Sequence, residues 1–113
     1  MNATISRNRF GSLQIAIILL AIATAAIHLY LALTAPISLP MFILNGIGYL
    51  VLVTALYLPQ LRRYQSIIRW VLIIYTAITV IAWAAIGERS TIAYIDKLIE
   101  IALIVLLFIE GRR

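Results

Sequence analysis

Cysteine is absent from the 113 residues, which excludes disulfides, thiolate metal sites and thiol catalysis and leaves the redox compartment open. Charge is almost as scarce: between Phe10 and Leu61 there is no Asp, Glu, Lys or Arg. A soluble domain cannot keep so long an uncharged run out of water. With 65% of the chain hydrophobic, against roughly half in soluble domains, the sequence reads as an integral membrane protein. Catalytic patterns are missing as well. There is no Ser-His-Asp arrangement, no acid and base paired around a substrate cleft, and no phosphate loop. The expectation is a protein that is not an enzyme. The net charge of +5 would suit nucleic acid, but Arg7, Arg9, Arg62, Arg63, Arg69, Arg112 and Arg113 each flank an apolar run. That placement reads as topology, and no nucleic-acid partner is expected.

What is present is apolar sequence in lengths that match a bilayer. A hydrocarbon core of about 30 Å takes roughly 20 helical residues. Four segments reach that length, approximately 13–34, 41–58, 68–86 and 91–109, so residues 1–113 read as one membrane domain. Pro36 and Pro40 mark the first break, Pro59 with Arg62 and Arg63 the second, and Gly87 the third, with Ser90 or Thr91 as a helix cap. Short connections make neighbours antiparallel, and backbone satisfaction in lipid requires helices. The fold expected is all-α, a four-transmembrane-helix antiparallel bundle. Seven of the eight arginines lie at the termini and the second connection, and only Arg89 lies elsewhere. Both termini are therefore expected in the cytoplasm, in an inner (cytoplasmic) membrane. Trp70 and Trp83 fall where interfacial belts would lie. The first run is too long for a signal peptide, and Asn2-Ala3-Thr4 falls on the side where glycosylation does not occur.

The fourth segment carries Asp96, Lys97 and Glu100. At about 1.5 Å per residue they lie about 7, 9 and 13 Å inside its outer end, while His28, Asn45 and Thr79 fall at about 9, 6 and 10 Å on the other three segments. All four helices thus contribute to one polar layer in the outer half. At about 100° per residue, Asp96, Glu100 and Lys97 share one side of their helix. His28 shares a stripe with Ala21, Thr24, Ala25 and Ala32, the small residues that close packing in lipid uses. Asn45, Gly48, Tyr49 and Leu52 share a side of the second helix, and Thr76, Thr79, Val80 and Trp83 a side of the third. The expected network is His28, Asn45, Tyr49, Thr79, Asp96, Lys97 and Glu100. Each central Asp or Lys costs about 2.5–3.5 kcal/mol on an insertion scale, and each large apolar residue returns about 0.3–0.6 kcal/mol. Alone, the fourth helix is marginally inserted, so its charges need partners on the other helices.

The layer has two readings: a structural network that fixes helix register, or a functional site. His28 reads as a hydrogen-bonded interior histidine, with axial ligation of a haem or chlorophyll-like pigment as the alternative. A six-coordinate haem wants a second ligand, and the chain has one histidine and only Met1 and Met41. His28, Asp96 and Glu100 are metal-binding residue types without a spacing signature, so no metal site is expected. No cofactor is predicted either. Gly46-Ile47-Gly48 reads as a close-packing site.

The runs "HLYLAL", "FILNGIGYLVLVTALYLP", "RWVLIIYTAITVIAW" and "YIDKLIEIALIVLL" resemble small, uncharacterised four-helix membrane proteins of haloarchaea and green nonsulfur-type bacteria. The resemblance implies the four-helix architecture and marks His28, Asn45, Asp96 and Lys97. Length and helix count are also similar to the small multidrug resistance transporters, whose first helix carries an essential glutamate; here that helix has no acid.

The leading expectation is an accessory or scaffolding subunit of a larger membrane complex, of electron-transfer or photosynthetic type, with the lipid bilayer and other membrane subunits or further copies of the chain as partners. The alternative is a small proton-coupled transporter or ligand-binding protein using His28, Asp96 and Glu100. The third is a single-histidine pigment or haem holder.

Overall fold

The computed structural model of the chain describes residues 11–34, 39–86 and 90–112. Arg7, Arg9, Pro36, Gly87, Glu88, Arg89, Arg113 and the Asn2-Ala3-Thr4 triplet lie outside the described residues. The architecture is all-α: α1 (Ser12–Thr34), α2 (Leu39–Tyr57), a 3₁₀ turn (Pro59–Tyr64), α3 (Gln65–Ile86) and α4 (Thr91–Gly111).

The boundaries of α2 and the start of α3 differ from the sequence expectation for reasons the prolines supply. Helix α2 starts at Leu39 and takes Pro40 into its first turn, where a missing N–H removes no helical bond. It stops at Tyr57 because Leu58 precedes Pro59 and is held extended (φ −71°, ψ 126°), as residues before proline are. The stretch after Pro59 winds into the 3₁₀ turn, and α3 follows from Gln65, three residues early. At α4 the cap is Ser90, whose hydroxyl accepts the Ala93 N–H at 3.2 Å.

Segments 12–34, 40–57 and 59–85 are long and apolar enough to cross a membrane. Helix α4 has a similar 21 residues but carries Asp96, Lys97, Glu100 and Glu110, so its composition does not mark it as a span. Its place comes from packing. Helix α1 packs on α2 and α4, and α3 packs on α2 and α4. The glycines of α2 allow two of these contacts. A Cβ on Gly46 would lie 3.0 Å from the Ala25 carbonyl oxygen of α1, and one on Gly48 would overlap the Tyr75 hydroxyl of α3.

The buried face of α1 is Ile17, Ala21, Thr24, Ala25, His28 and Ala32, the helical stripe predicted for it plus Ile17. Between the helices, Ile17, Ala21, Leu56, Leu72, Leu103 and Leu107 form a dry apolar layer, each at most 1% exposed. Large apolar side chains point outward from every helix, among them Leu33, Leu44, Ile81 and Leu98. This inside-and-outside apolarity is that of a bundle solvated by lipid.

Candidate functional site

Above the dry layer, α4 turns Asp96, Lys97 and Glu100 into the bundle, exposed by only 1%, 7% and 0%. The spacing i, i+1, i+4 places them on one side of the helix, toward α1 and α2. Lys97 Nζ donates to Glu100 Oε1 at 2.7 Å and lies 3.1 Å from Asp96 Oδ2. From α2, the Tyr49 hydroxyl donates to Glu100 Oε2 at 2.8 Å. From α1, the Thr24 hydroxyl lies 2.5 Å from Asp96 Oδ1 and 3.1 Å from Glu100 Oε2, so its one proton serves either carboxylate.

His28 completes the cluster, 3% exposed and between the rings of Phe42 and Tyr49 at 6.2 and 5.8 Å. Its Nδ1 donates to the Thr24 carbonyl at 2.8 Å, one helical turn back. The opposite nitrogen, Nε2, faces Asp96 Oδ2 at 3.7 Å and Glu100 Oε2 at 3.9 Å. Both separations exceed hydrogen-bond length. The place an axially bound iron or magnesium would take is thus bounded by two carboxylates, which does not fit a macrocycle at His28.

Compared with known proteins, the chain matches no protein-family model, no curated protein and no solved structure. The chemistry of the cluster therefore rests on its own geometry. Of the seven residues expected to form one network, His28, Tyr49, Asp96, Lys97 and Glu100 meet, and Thr79 adjoins them through the Tyr49 hydroxyl. Asn45 and Thr79 form a half-buried pair between α2 and α3, with the Thr79 hydroxyl 3.5 Å from Asn45 Oδ1 and bonded to the Tyr75 carbonyl at 3.0 Å. The Tyr75 hydroxyl bonds the Asn45 carbonyl at 2.8 Å, so this group secures the α2–α3 seam.

Thr24, absent from the expected network, is a central member of it. Its position four residues before His28 on the small-residue stripe was the available signal. A second cluster was also missed. At the other end of the bundle Glu110 accepts from Gln14 Nε2 at 2.9 Å, the Tyr57 hydroxyl at 2.8 Å and Arg69 Nε at 3.0 Å. Polar residues within about one turn of four helix ends were the signal there, and arginine reads too readily as topology alone.

Proposed function

We propose that the chain is a non-catalytic protein of the inner membrane with four antiparallel spans and both termini in the cytoplasm, serving as an accessory or scaffolding subunit of a larger membrane complex. Several features support the architecture. The start of α1, the end of α2, the start of α3 and the end of α4 all reach Glu110. Arg62, Arg63, Arg69 and Arg112 lie at that end, as the cytoplasmic surface requires. Lys97 pairs with both Asp96 and Glu100 inside the bundle, which favours the insertion of α4.

The observation carrying the scaffold reading is that the buried polar groups are bonded to one another, over a dry layer of Leu56, Leu72, Leu103 and Leu107. Such an interior holds four short helices in one register, while the outward leucines and isoleucines offer lipid or neighbouring helices an apolar surface. The test is isolation of the tag-free protein from its native membrane in mild detergent. Stoichiometric partner subunits in the purified particle are expected; a solitary monomer under conditions that preserve other membrane complexes overturns the reading.

A second reading, a proton-coupled or ligand-binding protein, draws on the Thr24 hydroxyl, which bridges two carboxylates beside an imidazole. Reconstituted in vesicles, wild type would then move protons or a solute, and Asp96→Asn would stop it while accumulating normally. Vesicles with no flux above empty controls would remove this reading.

A further inference from the structure

We propose that His28, Asp96 and Glu100 form a binding site for one divalent transition-metal ion, held by His28 Nε2, Asp96 Oδ2 and Glu100 Oε2. The three side chains offer ligand atoms within 4.8 Å of one another, and all three are buried. Ligands about 2.1 Å from a metal and about 110–120° apart stand roughly 3.4–3.6 Å from each other. The Nε2 separations of 3.7 and 3.9 Å therefore need to contract by only a few tenths of an ångström.

The independent observation is a buried imidazole nitrogen without a hydrogen-bond partner among the described residues. The His28 ring is 3% exposed, and Nε2 points between two carboxylates. Its Nδ1 donates to a backbone carbonyl, the arrangement that orients metal-ligating histidines with Nε2 toward the ion. A cation placed between Nε2 and the two carboxylate oxygens gives all three a partner at once. Thr24 holds Asp96 Oδ1 and Lys97 holds Glu100 Oε1, as ligating carboxylates are usually held, and the ligating Glu100 Oε2 also accepts from Tyr49 at 2.8 Å and Thr24 at 3.1 Å.

Charge adds to the case. Asp96 and Glu100 share the one ammonium of Lys97, all three buried. The imidazole donor selects zinc-like or first-row transition ions over calcium or magnesium. A divalent ion competes with the Lys97 ammonium for Asp96 Oδ2, 3.1 Å from Nζ. Helical spacing alone would not reveal this site, because its ligands come from two helices with sequence separations of 68 and 72, counted from His28 to Asp96 and to Glu100.

The test is Co²⁺ titration of tag-free protein in detergent. One ion per chain is expected, with visible d–d absorption and a hyperfine-shifted, exchangeable imidazole N–H signal in the proton NMR spectrum. The chain has a single histidine, so that signal has one source. His28→Gln, checked for helicity by circular dichroism, should lose the signal and bind at least 100-fold more weakly, about 2.7 kcal/mol. Lys97→Met should bind at least tenfold more tightly and regain thermal stability on Co²⁺ addition. Wild-type protein that takes up no stoichiometric Co²⁺ at millimolar concentration, or that binds it without the imidazole signal, overturns the proposal whatever the variants do.

Discussion

Glu100 and Glu110 sit on the same helix and are dressed in the same way. In each, Oε2 accepts from a tyrosine of α2 and a neutral donor of α1, Tyr49 with Thr24 or Tyr57 with Gln14, and Oε1 accepts from a cation. The cation is where they part. Glu110 takes Arg69 from α3, so one carboxylate ties four helices together at a bundle end. Glu100 takes Lys97 from its own helix, about 15 Å deeper at about 1.5 Å per residue, and is accompanied by Asp96 and His28. The end cluster holds what stitching requires. The deep cluster holds one acid and one imidazole more than that, and this surplus is where a function beyond stitching would reside.

The largest effect expected from this contrast is at Lys97. Replacing it by Met leaves two carboxylates facing each other without their cation, and breaking a buried pair in this way costs about 3–5 kcal/mol. Thermal or denaturant unfolding in detergent without added metal should show that loss. A loss below about 1 kcal/mol would mean that water reaches the deep cluster as freely as the end cluster.

Arg69→Met should cost less, about 1.5–3 kcal/mol, the range for one hydrogen bond to a charged group, because Tyr57 and Gln14 still serve Glu110. The Arg69–Glu110 pair is 14% and 7% exposed against 9% and 0% for Lys97 and Glu100, so salt should also separate the two. Raising ionic strength from about 0.01 to about 1 M shortens the screening length from about 30 to about 3 Å, which should shrink the Arg69→Met effect and leave the Lys97→Met effect unchanged. Equal salt responses would break the distinction between a deep and a surface cluster.

How much of this was legible beforehand differs between the clusters for a physical reason. Asp96, Lys97 and Glu100 violate the hydrophobic pattern of their helix, and a violation that costs several kcal/mol demands an explanation from the sequence alone. The faces of α1 and α4 followed from helical period and from small residues opposite large ones. Glu110 and Arg69 violate nothing, because charges at helix ends belong there, so their pairing needed coordinates. Thr24 was read as a small packing residue, which it is, but its hydroxyl also links the two acids. Asn45 was expected beside the charges and meets Thr79 and Tyr75 of α3 instead, because the seam a side chain faces depends on how four helices close into a ring. Proline marked the breaks on either side of α2 but misplaced its boundaries, since Pro40 and Pro59 begin helical turns instead of ending them.

The smallest effect is expected at Asp96, and it is the most informative. If the surplus acid carries no structural duty, Asp96→Asn removes one negative charge and leaves Glu100 and Lys97 as a balanced pair, with an amide oxygen still able to accept from Thr24. Metal-free stability should then change by no more than about 1 kcal/mol, in contrast to Lys97→Met on the neighbouring position. The same variant should lose the stabilisation that Co²⁺ gives wild type, since Asn is a poor ligand where an anionic oxygen was. A loss of several kcal/mol without metal would instead assign Asp96 to the stitching network, and the two clusters of α4 would differ in depth alone.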